Sequence, residues 1–273
     1  MTTTSATAEL PRARRRAARI PRLVNAELLK LRKRRGLVLV TFALTVLPMI
    51  IAYVVLVALH AAEPAKHGPA GGLENFSGSL YMLAQLGVVA AILIGATAGA
   101  ADIGSGVFRE LVVTGRSRFA LFAARLPAAL GLAIAAAWAG FALTALASTV
   151  LAGSLEAPGA GLLVEGAGWL ALVVGLAVVL ALGLSSALGS RSITIGIVLG
   201  LELAVMPALL QIRALGSLRE LLPVVATDSL APSALFDGEV AVPISVSVAV
   251  VVVAAWTLVP LAAGAWRTCK RDA

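Results

Sequence analysis

A chain of 273 residues in which 60% are hydrophobic and only 13% charged lacks the polar residues that would cover a water-soluble domain, so its class is membrane. The formal charge of +8 lies between apolar runs rather than in an aromatic-interleaved patch on a folded domain, which argues against nucleic acid as a partner. A single cysteine, Cys269, excludes an intrachain disulfide and a thiolate metal cluster.

Residues 1–19 read as a basic, flexible tail, with Arg14, Arg15 and Arg16 as a tether for lipid headgroups. Residues 20–35 follow as an amphipathic interfacial helix. Ile20, Val24, Leu28 and Leu31 share one side, and Arg22, Lys30, Arg32 and Lys33 lie mostly elsewhere. Glu27 and Arg34 sit at the edge of that stripe and Leu29 opposite it, so part of the helix is free to meet a protein surface instead.

A hydrocarbon core of roughly 30 Å takes about 20 apolar residues at 1.5 Å rise per residue. Six such runs fill residues 36–267: Leu37 to Leu59, Ser79 to Ala101, Leu126 to Gly153, Gly166 to Gly189, Ile193 to Ile212 and Pro243 to Trp266. The first is too long for a signal-peptide core and follows too long a leader, so cleavage after Ala61-Ala62 is the weaker reading. The fourth and fifth runs divide at Ser190-Arg191-Ser192, because together they exceed one span and carry a charge in mid-course.

Several spans repeat small residues every fourth position, the spacing that lets helices approach closely in lipid. Gly87, Ala91, Gly95 and Gly99 form the clearest stripe, in span two. Gly131, Ala135 and Ala139 repeat it in span three, which makes these two helices the expected tight pair. Weaker repeats are Gly175 with Gly183 in span four and Gly196 with Gly200 in span five.

Between spans two and three lies the largest internal polar segment, taken as 102–125. Gly104 and Gly106 permit a turn out of the bilayer, Val107 to Val113 form a short helix along the membrane, and Gly115 ends it. Phe108, Leu111 and Val112 give that helix an apolar side suited to docking. Glu202, about the tenth of some twenty residues in span five, is the one ionisable residue deep in a span, where a charge costs roughly 2.5–3.5 kcal/mol. Two readings stand for it: a proton-relay or substrate-contact group, and a carboxyl that fixes one helix against a neighbour or dimer partner. The proline-broken apolar stretch 213–242 has the pattern of an outer loop able to re-enter the bilayer, and 268–273 form a short tail.

Lysine and arginine set the orientation. Nineteen of the 22 fall before span one, between spans two and three, at Arg191 or after span six, which places both termini in the cytoplasm. Lys66, Arg213 and Arg219 are left on the opposite side with eight of the 14 acidic residues.

Catalytic chemistry has little to build on. None of the four lysines precedes Ser or Thr, so there is no Walker A loop. Both histidines, His60 and His67, lie in the first outer loop, which removes a Ser-His protease or HExxH metal site from the spans. With no carboxylates paired at acid–base spacing in the membrane, the chain is expected to hold no catalytic site, no metal and no cofactor, and to move something across the bilayer.

The segment Ala26-Glu27-Leu28-Leu29-Lys30-Leu31-Arg32 resembles the acidic-then-basic helix that precedes span one in the membrane subunits of type-two ABC exporters, six-span half-size permeases without an ATPase domain. Asp102, Gly106-Val107-Phe108-Arg109, Leu111-Val112, Gly115-Arg116-Ser117-Arg118 and Arg125 are similar to that family's loop between spans two and three. The usual pattern there is an acidic residue, Gly-Thr-Leu-Arg, a Leu-Leu pair, Pro-x-Ser-Arg and a Lys entering span three. The departures (Asp for Glu, Val107 for Thr, Gly115 for Pro, Arg125 for Lys) keep charge and shape more than identity.

The resemblance implies a coupling helix over Val107 to Val113, with Arg109, Glu110, Arg116 and Arg118 as polar anchors to an ABC ATPase subunit that holds ATP and Mg. It also implies a second permease copy or paralogue, in the cytoplasmic membrane of a bacterium. A hydrophobic or amphipathic cargo such as a drug, antibiotic or lipid fits the apolar spans. The competing readings are an ion-coupled transporter working through Glu202, which calls for more intramembrane polar groups and helix breaks, and a non-transporting immunity or assembly partner.

Overall fold

The computed structural model describes residues 19–104, 106–113, 115, 117–233 and 242–270, with the side chains of Arg19, Ile20, Phe108 and Arg109 outside that description. Among the described residues the chain is all helix, and six helices are long and apolar enough to cross a membrane.

An amphipathic helix, Arg19–Lys33, leads into span one, Arg35–Ala62. Span one breaks at Val46 into Arg35–Thr45 and Leu47–Ala62. Pro48 explains the break, since its ring crowds the carbonyl four residues earlier, at Leu44, and it has no N–H to give back. The later spans are Leu73–Gly104, Arg118–Val150, Ala160–Leu188, Arg191–Gln211 and Val246–Lys270. Spans two and three begin six and eight residues before the apolar runs do, because the helices continue through the polar interface.

Spans two and four form the centre. In each, 67% of the most apolar stretch is buried, against 11–28% in the other four. The stripe of small residues on span two faces span four: a Cβ at Gly95 would lie 3.0 Å from that of Ala181, and one at Gly99 2.6 Å from the Leu182 carbonyl oxygen. Spans two and three do pack on each other as expected, but not through the second stripe, whose Gly131, Ala135 and Ala139 face outward. The close approach in span three is at Gly140, where a Cβ would collide with the Thr45 carbonyl of span one and come within 2.8 Å of Leu83 on span two. In span four Gly183 meets span six, at Pro260 and Gly264, rather than repeating a stripe with Gly175. Nothing approaches Gly196 or Gly200 in span five.

Spans four and five are joined by a two-residue turn. Gly189 takes the left-handed conformation, φ 75°, and donates to the Ser185 carbonyl at 2.8 Å, while Ser190 caps span five by accepting from the Ile193 N–H.

After span five the chain folds into a 3-10 turn, Arg213–Leu221, and a short helix, Pro223–Ser229. Two indoles pin it. Trp256 of span six donates to the Leu221 carbonyl at 3.0 Å, and Trp169 of span four to that of Thr227 at 2.9 Å. Residues 234–241 of the expected outer loop lie outside the described residues.

Asp228 closes the short helix, and burial raises its pKa to about 6. A raised carboxyl favours its neutral form, so the stability gained here is complete below about pH 4 and lost as pH climbs through 6. Asp228→Asn is therefore expected to stabilise the protein by about 2 kcal/mol at pH 8 and not at pH 4, as read from thermal melts in detergent at the two pH values.

Candidate functional site

The amphipathic helix does not lie free. Val24, Leu28 and Leu31 pack into the main core, Leu29 is left exposed, and Glu27 turns inward to be 8% exposed. The covering surface is the start of span three with the end of span two. Its apolar stripe thus meets protein, the alternative that Glu27 and Arg34 at its edge had left open.

Among the described residues, four charged side chains meet at that junction. Lys30 Nζ lies 2.8 Å from Glu27 Oε1 and 3.1 Å from Asp102 Oδ2, and the same Asp102 oxygen accepts from Arg125 Nη2 at 3.1 Å. Arg125 Nη1 reaches the Gly99 carbonyl at 3.2 Å. The charges of these four balance, which favours burial: Arg125, in the third turn of span three, is only 1% exposed. Burial alone would lower the Lys30 pKa, but the hydrogen bond and charge of Glu27, reinforced by Asp102, outweigh it and raise the value above that of a free lysine. Lys30 therefore stays an ammonium, and the cluster ties the amphipathic helix to spans two and three.

Asp102 sits in the last turn of span two, so the connecting segment is shorter than 102–125. Span two ends at Gly104 and span three starts at Arg118. Between them Val107–Val113 form a two-turn helix. Gly106 and Gly115, with φ of 76° and 78°, make the sharp entry and exit at a conformation that costs a residue bearing a Cβ. Their N–H groups return to the carbonyls of Ile103 and Val112. Ser117 then caps span three, accepting from Ala120.

On this helix Val107, Glu110 and Val113 are exposed, while Leu111 and Val112 are half-buried. Among the described side chains of this helix, the apolar residues open to a partner are Val107 and Val113, the latter 78% exposed and not among the docking residues picked out in the sequence. Arg118 donates to the Cys269 carbonyl at 3.1 Å and so joins the start of span three to the end of span six. Arg32 is exposed, and Arg116 lies outside the described residues.

Gly87, Ala91, Gly95 and Gly99 run from this cluster up the centre of the bundle and serve close packing. Glu202 stands apart, in a wide π turn, Leu201–Val205, of span five. Sequence reasoning missed the Lys30–Asp102–Arg125 connection because its members are far apart in the chain. The available signal was that an acid and an arginine, 102 and 125, flank a short loop at the ends of two adjoining spans.

A model of the ABC-2 family transporter protein matches residues 23–208, a stretch that includes most of the amphipathic helix, the charge cluster, the loop helix and Glu202. No curated protein sequence matches the chain.

Proposed function

The chain belongs to the ABC-2 family of transporter membrane proteins, and from that premise we propose that it is the permease subunit of an ATP-driven exporter in a bacterial cytoplasmic membrane, with both termini inside. Two copies, or this chain and a paralogue, line the pathway, and a separate ABC ATPase supplies the energy. A hydrophobic or amphipathic molecule is the cargo.

One observation carries the coupling assignment: the glycine-bounded helix Val107–Val113 projects from spans two and three where the buried charges fasten both to the amphipathic helix. A push on this helix is delivered to a braced junction instead of being absorbed by a slack loop. Its motion therefore passes into span two, at the centre of the bundle, and through the stripe of small residues into span four. The positive charge concentrated on the same side supports the cytoplasmic placement.

Co-expression with an ATPase encoded beside the gene, followed by purification through a tag on this chain, tests the reading. Wild type is expected to retain the ATPase stoichiometrically. The Phe108→Asp, Arg109→Glu double variant removes an apolar anchor and reverses a charge, at a cost of about 2–4 kcal/mol, and is expected to lower recovery more than tenfold while remaining inserted in the membrane. Loss of the ATPase from intact wild type would overturn the assignment.

A further inference from the structure

Glu202 lies eleven residues into span five, about 16 Å from its first residue and so near the middle of a hydrocarbon core of roughly 30 Å. Among the described residues its carboxylate takes part in no ion pair or hydrogen bond. The basic residues nearest in the chain stand at the two ends of the span, Arg191 and Arg213, and Arg219 is committed to the carbonyls of Gly216 and Leu210.

The backbone adds a second acceptor at the same residue. In the π turn the Met206 N–H goes to the Leu201 carbonyl, and Pro207, the next possible donor, has no N–H. The Glu202 carbonyl thus loses the partners that an α turn and a π turn would each have provided. One residue presents a carboxylate and a carbonyl dipole, both negative, at mid-membrane.

The surroundings select the ligand. Leu203, Ala204, Val205 and Pro207 are exposed and apolar, on a span that packs chiefly on spans two and four and leaves its other side open. A bare divalent cation would need six or more oxygen ligands, which this surface does not offer. A carboxylate facing lipid would carry the full insertion cost, whereas one facing the pathway between two copies is repaid when a cation arrives.

We infer that Glu202, together with the carbonyl released by its own π turn, recognises the cationic group of an amphipathic cargo in the pathway between two copies of the chain. The inference rests on the permease reading and names its substrate class.

The test uses the purified permease–ATPase complex in nanodiscs and two tritiated probes of equal size and opposite charge, tetraphenylphosphonium and tetraphenylborate. Wild type is expected to bind the phosphonium saturably and in preference to the borate. Glu202→Gln is expected to weaken phosphonium binding at least tenfold without weakening borate binding, and Glu202→Asp to stay within about threefold of wild type. Retention of the ATPase and an unchanged elution volume establish that each variant is assembled.

Equal phosphonium binding by wild type and Glu202→Gln, or no saturable binding by wild type, overturns the inference while leaving the permease reading intact. Separation of Glu202→Gln into single permeases also overturns it, since the carboxyl would then be a strut between helices. Failure of the permease reading has a different signature, an intact chain that never retains an ATPase.

Discussion

Arg125→Ala is expected to destabilise the protein by about 3–5 kcal/mol, the cost of removing one partner from a buried pair. The guanidinium is 1% exposed and donates both to Asp102 and to the Gly99 carbonyl, so its loss takes from Asp102 a fully buried cationic partner. Arg125→Lys keeps the charge but not the fork that serves two acceptors, and a loss of roughly half that size should follow. Pairing Arg125→Met with Asp102→Leu is expected to restore much of the stability, because no charge is then buried unpaired. Melting curves in detergent read all three, and a single alanine variant as stable as wild type would rule out a structural role for the cluster.

Gly99→Val should be nearly as damaging, by overpacking instead of by charge. Its Cβ would sit 2.6 Å from the Leu182 carbonyl oxygen and 2.9 Å from Ser186 Oγ, and the carbonyl cannot rotate aside as a side chain could. Spans two and four would have to separate, which costs about 1–3 kcal/mol and breaks the contacts of Ser185 and Ser186 with the Gly95 and Gly99 carbonyls. Gly131→Ala and Gly196→Ala make the control, since nothing stands within 4 Å of either added methyl. Both replace a helical glycine by a better helix former and are expected to be neutral or to stabilise by up to about 1 kcal/mol. Yield in the membrane and melting temperature separate the two groups.

The spans were legible because lipid leaves few alternatives: about 20 apolar residues between polar breaks have little other use. Their ends were not, because Glu74 and Arg125 look like the edges of apolar runs although the helices already begin at Leu73 and Arg118. Partner choice was equally hidden. The stripes Gly87-Ala91-Gly95-Gly99 and Gly131-Ala135-Ala139 look alike in sequence, yet one holds the centre of the bundle and the other faces outward, because spacing states how close a neighbour can come and not which helix it is. The charge cluster needed three elements at once. The π turn had a local cue in Pro207, five residues after Glu202, which denies that turn a donor.

The bond between Lys30 and Asp102 joins residues 72 apart in the chain. At about 5–20 residues per second, Asp102 is synthesised some 4–14 s after Lys30, and Arg125 later still. Throughout that interval the amphipathic helix has neither its charged partners nor the span-three surface that will cover Leu31. Its apolar side can be shielded in that time by the membrane surface, with the neighbouring basic residues holding it among anionic headgroups. The helix thus has two successive hosts, lipid while the chain is growing and protein once span three is in place, and the pairing of Lys30 with Asp102 marks the transfer from one to the other.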